Sequence, residues 1–288
     1  MHLLIPHASA LGEEAAEALA ALNLPNLAAL LGTMQPEARL GSDEFSADMP
    51  HELALAALRG EAMPAVAAWR AAELGFPGDR PWALLTPLHL AVSLDQVAAH
   101  APMLSEADSR ALFESLAELW PTGEGWLSHW AGPSEWLVSH ESLAGIASAS
   151  VDRVVQRNIA PWLPEARRLR SLQNEVQMLL HTHPLNEERG MPINSVWISG
   201  CGTSSHALPA DVKVDMRLRA PLLAGDWPAW QNAWRALDAE LPAVERITLC
   251  GERFAQTFGP TAPNGLFKRM WQQISPPRAD IHALLGGL

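Results

Sequence analysis

The chain has no tyrosine, only two cysteines and fewer basic than acidic residues. Each of these features excludes one kind of chemistry, cross-link or binding partner. The lack of tyrosine removes phenolic acid–base chemistry. Cys201 and Cys250 alone cannot form a disulfide framework, which is typical of a reducing compartment. With 20 Lys and Arg against 32 Asp and Glu, the formal net charge is −12. Nucleic-acid binding requires clustered basic residues, so we expect no nucleic-acid partner.

Long apolar runs are also missing. The sequence has no run of about 18 apolar residues, the length that a membrane-spanning helix needs. The N-terminal segment has no basic start and turns acidic at Glu13 and Glu14, unlike a signal peptide. The apolar fraction of 48% and the charged fraction of 18% fit a globular chain. We therefore predict a cytoplasmic protein that does not contact a membrane.

Common catalytic motifs are absent from the sequence. There is no nucleophile elbow, phosphate-binding loop or paired-histidine zinc motif. Gly200-Cys201-Gly202 follows a predicted strand, but neither a third glycine nor a convincing helix follows, which disfavours a dinucleotide site. The two glycines instead favour a sharp turn or a close approach of the backbone. We expect neither a metal ion nor an organic cofactor.

Short apolar runs alternate with segments of helical spacing along the chain. The patterns predict strands at residues 2–5, 82–85, 88–94, 135–139, 193–199 and 245–250. They predict helices at residues 13–22, 25–31, 50–60, 64–74, 105–120, 165–181, 227–241 and 264–274. This alternation favours a single α/β domain over residues 1–288, with a mostly parallel sheet flanked by helices. A loop rich in Pro, Gly and Trp is predicted at about 121–133, and a loosely held tail at about 275–288.

A polar turn lies between the helix predicted at 165–181 and the strand predicted at 193–199. It carries Asn186, Arg189 and Asn194, and the strand leads to Gly200 and Gly202. Arginine can bind a carboxylate or phosphate with two donors while amides fix its orientation, so one hypothesis is a pocket for a small anionic metabolite. The other hypothesis is that these side chains tie the turn to neighbouring backbone groups. The sequence leaves both open.

The chain contains twelve tryptophans, and three of them share one helix face. Trp227, Trp230 and Trp234 lie at positions i, i+3 and i+7 of the predicted helix. Such a stripe is most often part of a core, and the alternative is a face that binds a protein partner.

Residues 172–202 resemble the corresponding stretch of two related groups of proteins. The nearer group is a proteobacterial family of regulatory proteins of the RpfE type, also labelled phosphoglycerate mutase-like. Further motifs carry this resemblance, namely the MHLLIPHASAL start, Met49-Pro50-His51-Glu52, Leu85-Thr86-Pro87-Leu88-His89 and Ser150-Val151-Asp152-Arg153. The resemblance implies a regulatory role.

The more distant group is the archaeal-type, cofactor-independent phosphoglycerate mutases of the alkaline phosphatase superfamily. Their His-Pro-x-Asn-x-x-Arg turn is similar to residues 183–189 here, and it leads into a strand with Asn194 and a glycine turn. This resemblance implies a truncated fold of the alkaline phosphatase kind.

The residues that perform the chemistry in the active mutases are replaced. Those enzymes use a Ser nucleophile and two metal ions held by Asp and His. The nucleophile segment here reads Pro50-His51-Glu52, the expected His-Asp pair reads Val151-Asp152, and the late Asp-His pair reads Glu252-Arg253. The resemblance therefore implies a scaffold without metal-dependent mutase activity.

Three functional hypotheses follow. The preferred one is a cytosolic binding or regulatory protein with the anion pocket described above. The second is a metal-independent phosphotransferase or phosphomutase, in which His51 acts as nucleophile or base beside Glu52 and Asp152. The third is an adaptor that binds a protein partner through the face of Trp227, Trp230 and Trp234.

Overall fold

The computed structural model describes residues 1–93, 96–187, 189–261 and 278–288. The chain divides into two compact units. Unit 1 comprises Met1–Leu58 and Leu208–Leu288, and unit 2 comprises Arg59–Ala207. The sequence predicts one domain, whereas each unit has its own sheet and its own hydrophobic core. Both units are mixed α/β, with sheets flanked by helices.

Unit 1 is built on a five-stranded sheet in the order β2-β10-β9-β1-β8. Its strands are β1 (His2–Ile5), β2 (Met34–Gly41), β8 (Val212–Val214), β9 (Arg246–Cys250) and β10 (Phe254–Pro260). Strand β1 pairs in parallel with β8 and β9, while β10 is antiparallel to β9 and β2. The sheet is therefore mixed, and the prediction of a mostly parallel sheet is wrong.

The helices of unit 1 cover both faces of this sheet. They are α1 (Glu13–Ala20), α2 (Pro25–Gly32), α3 (Pro50–Arg59), α8 (Arg219–Leu223), α9 (Trp227–Ala239) and α10 (Ile281–Gly286). Alternate strand residues such as Leu3 and Ile247 belong to the large core that contains residues of α1, α2, α9 and α10. On the other face, Leu4 and Cys250 pack with Ala54 of α3.

Unit 2 contains a second sheet, in which the pairings between the described strands are antiparallel. Its strands are β3 (Trp82–Val92), β4 (Val97–His100), β5 (Leu127–Gly132), β6 (Glu135–Ser139) and β7 (Ser195–Gly202). The order is β4-β3-β6-β5, and β7 also pairs with β3. Its helices are α4 (Val66–Glu73), α5 (Glu106–Ser115), α6 (Val151–Val154) and α7 (Arg167–His181). The main core of this unit lies against α5 and α7 and includes Trp120, Trp126 and Trp136.

Two segments that the sequence predicts to be irregular contain regular structure. The segment at 121–133 contains β5, which forms a hairpin with β6. The tail at 278–288 is not loosely held, because Leu285 is fully buried and the backbone N–H groups of Arg253 and Phe254 donate to Leu288 O at 2.8 and 2.7 Å. The helix predicted at 264–274 lies outside the described residues.

No described helix is by itself long and apolar enough to cross a membrane, although α1 and α2, bent at 86°, pass together on length and composition.

Candidate binding sites

The carboxyl ends of the parallel strands of unit 1 bring two histidines together. His7 follows β1, and His51 lies in the first turn of α3. Both side chains are buried, and their ring centroids lie 5.0 Å apart with the planes inclined at 51°. Because ligands of α/β sheets commonly bind at the carboxyl edge, this imidazole pair is a candidate site for proton or phosphoryl transfer.

The carboxylates at this edge hydrogen-bond to the backbone. Glu52 Oε2 accepts from Met49 N–H at 2.9 Å, which satisfies a donor just before α3. Glu252 Oε2 accepts from Leu11 N–H at 3.0 Å. Of the predicted catalytic residues, His51 and Glu52 are therefore adjacent in unit 1. Asp152 is buried in α6 of unit 2, where its N–H donates to Ser150 Oγ at 3.3 Å.

The opposite end of the same sheet holds a cavity of about 370 Å³. It lies at the amino ends of β1 and β9, on the sheet face covered by α3. Its apolar wall includes Ala54, Ala57 and Leu58 of α3, which follow one another at helical spacing. The full lining is His2, Glu37, Leu40, Ala54, Ala57, Leu58, Pro209, Asp211, Val212, Arg246, Thr248 and Thr257. Every one of these residues belongs to unit 1.

Three hydrogen-bonded side chains form the cavity floor. The imidazole Nε2 of His2 lies 2.8 Å from Thr248 Oγ1, which in turn lies 2.7 Å from Thr257 Oγ1. Burial, and then the neighbouring Arg246 guanidinium, lower the pKa of His2 below its ordinary value. The ring is therefore neutral at pH 7, and the floor offers polar hydrogen-bonding groups without a charge.

Charged side chains surround the cavity above this floor. Arg246 Nε donates to Glu37 Oε2 at 3.0 Å, so these two charges neutralise each other. Asp211 is exposed, and among the described residues its carboxylate has no ion-pair partner. The cavity combines a polar floor, an apolar wall, one ion pair and one further carboxylate, a composition typical of sites for small molecules.

Sequence analysis does not identify this cavity, although a signal for it is present. Polar residues interrupt the apolar pattern of both central strands, with His2 before Leu3 in β1 and with Arg246 and Thr248 flanking Ile247 in β9. Alternation places the polar members of both strands on one face of the sheet. A buried strand in an α/β sheet is normally apolar on both faces, so these polar positions indicate a polar recess.

The side chain of Asn186 in unit 2 hydrogen-bonds to the backbone of its own turn. Its Nδ2 donates to the carbonyl oxygens of Leu180 and Ile193 at 2.8 Å each, and its Oδ1 accepts from Ile193 N–H at 2.8 Å. These bonds join the last turn of α7 to the segment that leads into β7. These contacts fit the hypothesis that the polar side chains tie the turn to neighbouring backbone groups.

Arg189 and Asn194 also have partners in unit 2, a side chain for the first and the backbone for the second. Arg189 forms an ion pair with Asp108 of α5. Asn194 Oδ1 accepts from Leu90 N–H at 2.7 Å, and its Nδ2 donates to Leu90 O at 3.0 Å. The amides of Asn186 and Asn194 and the guanidinium of Arg189 thus all have partners within unit 2.

The two glycines at the carboxyl end of β7 allow close packing against α4. Gly200 has φ of 61°, and a Cβ added there would lie 2.9 Å from Ala67 N. A Cβ at Gly202 would lie 2.9 Å from Ala65 Cβ. Glycine is therefore required for the approach of strand to helix, as the sequence predicts for a close backbone contact.

The tryptophan stripe of α9 lies in the core of unit 1. Trp230 and Trp234 are 1% and 0% exposed, and their indole N–H groups donate to His7 O at 3.1 Å and Ala8 O at 3.2 Å. Successive rings meet edge to face, with centroids 6.0 and 6.3 Å apart. Trp227 is half-buried and donates to Glu14 Oε2 at 3.0 Å. The alternative of an exposed partner face is wrong for Trp230 and Trp234, because no surface of these rings is available.

Both cysteines are protected from ionisation. Burial raises the pKa of Cys201 to about 11. Cys250, the last residue of β9, is 0% exposed, and burial raises its pKa further. Neither thiol is suited to act as a nucleophile, because the thiolate is the reactive form.

Comparison with known proteins finds only weak structural similarity. No protein-family model matches the chain, and no curated protein matches it. Among solved structures, a cofactor-independent phosphoglycerate mutase from Thermoplasma acidophilum DSM 1728 aligns with 92% of this chain and 90% of its own, at 13% identity and a TM-score of 0.34. An identity and a score this low assign neither an activity nor a residue role to this chain.

Proposed function

We propose that this protein is a cytoplasmic binding or regulatory protein without metal-dependent phosphoglycerate mutase activity, and that a small molecule occupies the cavity of unit 1. The observation that carries the proposal is the cavity of about 370 Å³ with the floor of His2, Thr248 and Thr257. Its volume falls in the range of roughly 300 to 1,000 Å³ that is usual for small-molecule sites.

The carboxyl edge of the sheet supports the non-catalytic part of the proposal. At the segments that resemble the mutases' nucleophile and late ligand pair, this chain has His51 and Glu252-Arg253. The carboxylates of Glu52 and Glu252 accept hydrogen bonds from backbone N–H groups, which is a structural role. Arginine has no lone pair to offer a metal ion, so the residue at position 253 cannot replace a metal-binding histidine.

The experiment combines an activity assay with a ligand screen. The purified protein is assayed for interconversion of 2- and 3-phosphoglycerate with Mn²⁺ and with EDTA, and we expect no turnover above background in either. In parallel, a metabolite library is screened by thermal shift against the wild type and Ala57→Phe, which fills the cavity from an exposed helix position. A ligand at 100 times its Kd should add about 2.7 kcal/mol to the wild type and nothing to the variant.

Two results would contradict the proposal. EDTA-sensitive mutase turnover would show that the protein is a metal-dependent enzyme. A screen in which every stabilising metabolite acts equally on the wild type and Ala57→Phe would remove the cavity as the binding site.

The His7–His51 pair favours a second candidate function, metal-independent phosphoryl transfer. A ring nitrogen of His51 would displace the leaving alcohol from a phosphomonoester and form a phosphohistidine, and a second hydroxyl would then take the phosphoryl group. The position of His51 in the first turn of a ten-residue helix suits an anionic phosphoryl group.

Incubation with radiolabelled phosphoglycerate tests this candidate. It predicts an acid-labile, alkali-stable label that disappears in His51→Gln and persists in the solvent-exposed control His181→Gln. Absence of label in the folded wild type would eliminate it.

A further inference from the structure

We propose that the cavity of unit 1 binds a small organic cation with an apolar body, such as an aryl- or alkylammonium compound. This inference deepens the proposed function, since it specifies the ligand class of the same cavity. It rests on the charge of the lining, on the polar floor and on the apolar wall.

The lining carries an excess negative charge. Glu37 and Arg246 form an ion pair, so they contribute no net charge. His2 is buried against the sheet and neutral, and Thr248 and Thr257 are uncharged. Asp211 remains, and its carboxylate has no ion-pair partner within the described part of the chain. A cation would supply the missing counter-charge.

The nearby basic groups are directed elsewhere. Lys213 pairs with Leu3, whose side chain packs on the opposite sheet face, so alternation turns Lys213 away from the cavity. The N-terminal ammonium of Met1 lies 4.0 Å from Glu245. Arg39 lies over the Phe254 ring at 4.0 Å and donates to Gly287 O. None of these groups neutralises Asp211.

The remaining surface of the cavity suits the rest of such a ligand. Ala54, Ala57 and Leu58 form an apolar wall on α3, and Leu40 and Val212 add to it. An alkyl or aryl group would bury apolar surface there at roughly 25 cal/mol per Å². The long-range field favours the same sign of ligand, because the chain carries a formal net charge of −12.

Three probes of similar shape and different charge test the inference. Phenethylammonium, 2-phenylethanol and phenylacetate are titrated into the full chain by calorimetry at pH 7.5. We expect the ammonium compound to bind at least about tenfold more tightly than either of the others. Its affinity should fall as the ionic strength rises, because the contact with Asp211 lies at an open site.

Two charge-matched variants separate a local contact from the overall charge. Asp211→Asn removes the carboxylate of the cavity, and Glu17→Gln removes one negative charge from an exposed position on α1, across the sheet. We expect Asp211→Asn to abolish the preference for the ammonium probe, whereas Glu17→Gln should retain it. Circular dichroism checks that both variants fold.

The outcomes distinguish the ligand class from the proposed function. If phenylacetate binds most tightly and Ala57→Phe blocks it, the cationic ligand class is overturned and the binding function stands. Equal binding of all three probes, or none of them binding, also overturns the ligand class. The proposed function fails separately, if the metabolite screen finds no stabiliser that depends on the cavity.

Discussion

Polar side chains have opposite roles in the two units. In unit 2, Asn186 and Asn194 hydrogen-bond to backbone groups of neighbouring segments. In unit 1, His2, Thr248 and Thr257 hydrogen-bond to one another beneath an open cavity. The first set holds the chain in place and leaves no donor or acceptor directed at a ligand. The second set retains bonding capacity at a surface that a ligand can reach.

Substitution of Asn186 should have the largest effect on stability. Asn186→Ala leaves Ile193 N–H and Ile193 O without this partner, next to the fully buried Leu180 and Ile193, while Leu180 O still accepts from His183 N–H at 3.2 Å. We expect a loss of about 3 kcal/mol in the free energy of unfolding. Urea denaturation measures it, with Asn232→Ala at an exposed position of α9 as control. A loss below that of the control would mean that this turn is not held as described.

Ser109 should show the next largest effect. Its Oγ accepts from the indole N–H groups of Trp130 and Trp136 at 2.9 Å each, and it is fully buried. Ser109→Ala leaves both donors without that acceptor, so we expect a cost of about 2 kcal/mol. Thermal unfolding followed by tryptophan fluorescence measures it. Ser128→Ala, at an exposed position of β5, should leave the unfolding temperature unchanged.

Thr248 should affect stability less and ligand binding more. Thr248→Val keeps the side-chain shape but removes the hydroxyl that links His2 to Thr257. We expect a cost of about 1 kcal/mol in stability and a clear loss of affinity for the cavity ligand. Asn186→Ala should leave that affinity unchanged where the protein is folded. Equal effects of both variants on binding would contradict the proposal that polar residues of unit 1 bind the ligand and those of unit 2 are structural.

The smallest effect should be a pH dependence from His2. Burial, and then Arg246, lower its pKa below 6.5 in the folded state, so below that pH the unfolded chain binds more protons than the folded chain. The folded protein should therefore lose stability as the pH falls from about 6.5 toward the lowered pKa of His2. Urea midpoints from pH 5 to 8 should show this slope in the wild type and a weaker one in His2→Gln. An identical slope in both would show that His2 contributes nothing to it.

Much of the secondary structure is predictable because the signals are local. Pro25 and Pro50 mark the starts of α2 and α3, where the sequence predicts helices to begin, and Ser105 caps α5 by accepting from Asp108 N–H at 3.1 Å. Strand β1 spans His2–Ile5, the range that its mostly apolar sequence predicts. Such features need only neighbouring residues, so they can be read without the tertiary structure.

The missed strands depend on pairing with distant residues. Strand β2 is almost entirely exposed at a sheet edge and contains Pro36, so it has no alternating apolar pattern. Strand β3 is continuous, although the sequence predicts a break at Thr86-Pro87. Its pairing with β6 ends at Leu85 and that with β4 begins at His89, so Pro87 lies where one side of β3 has no described partner. A missing N–H is tolerated there.

The candidate site was only partly predictable for a similar reason. The polar turn of Asn186 is visible in sequence, but its hydrogen bonds to Leu180 and Ile193 depend on the path of the backbone. The cavity needs β1 and β9, which lie more than 240 residues apart, to be paired in the register His2 to Arg246. Periodicity places polar residues on a strand face, whereas only pairing brings two such faces together.

The two poorly ionised thiols make the protein convenient for spectroscopy. Because Cys201 and Cys250 ionise poorly, maleimide reagents should leave the native fold almost unmodified at neutral pH. A single new cysteine at Ala57, on the rim of the recess, would then accept a fluorophore selectively. Emission from that dye would report ligand binding in the cavity in real time, without the need to substitute either natural cysteine.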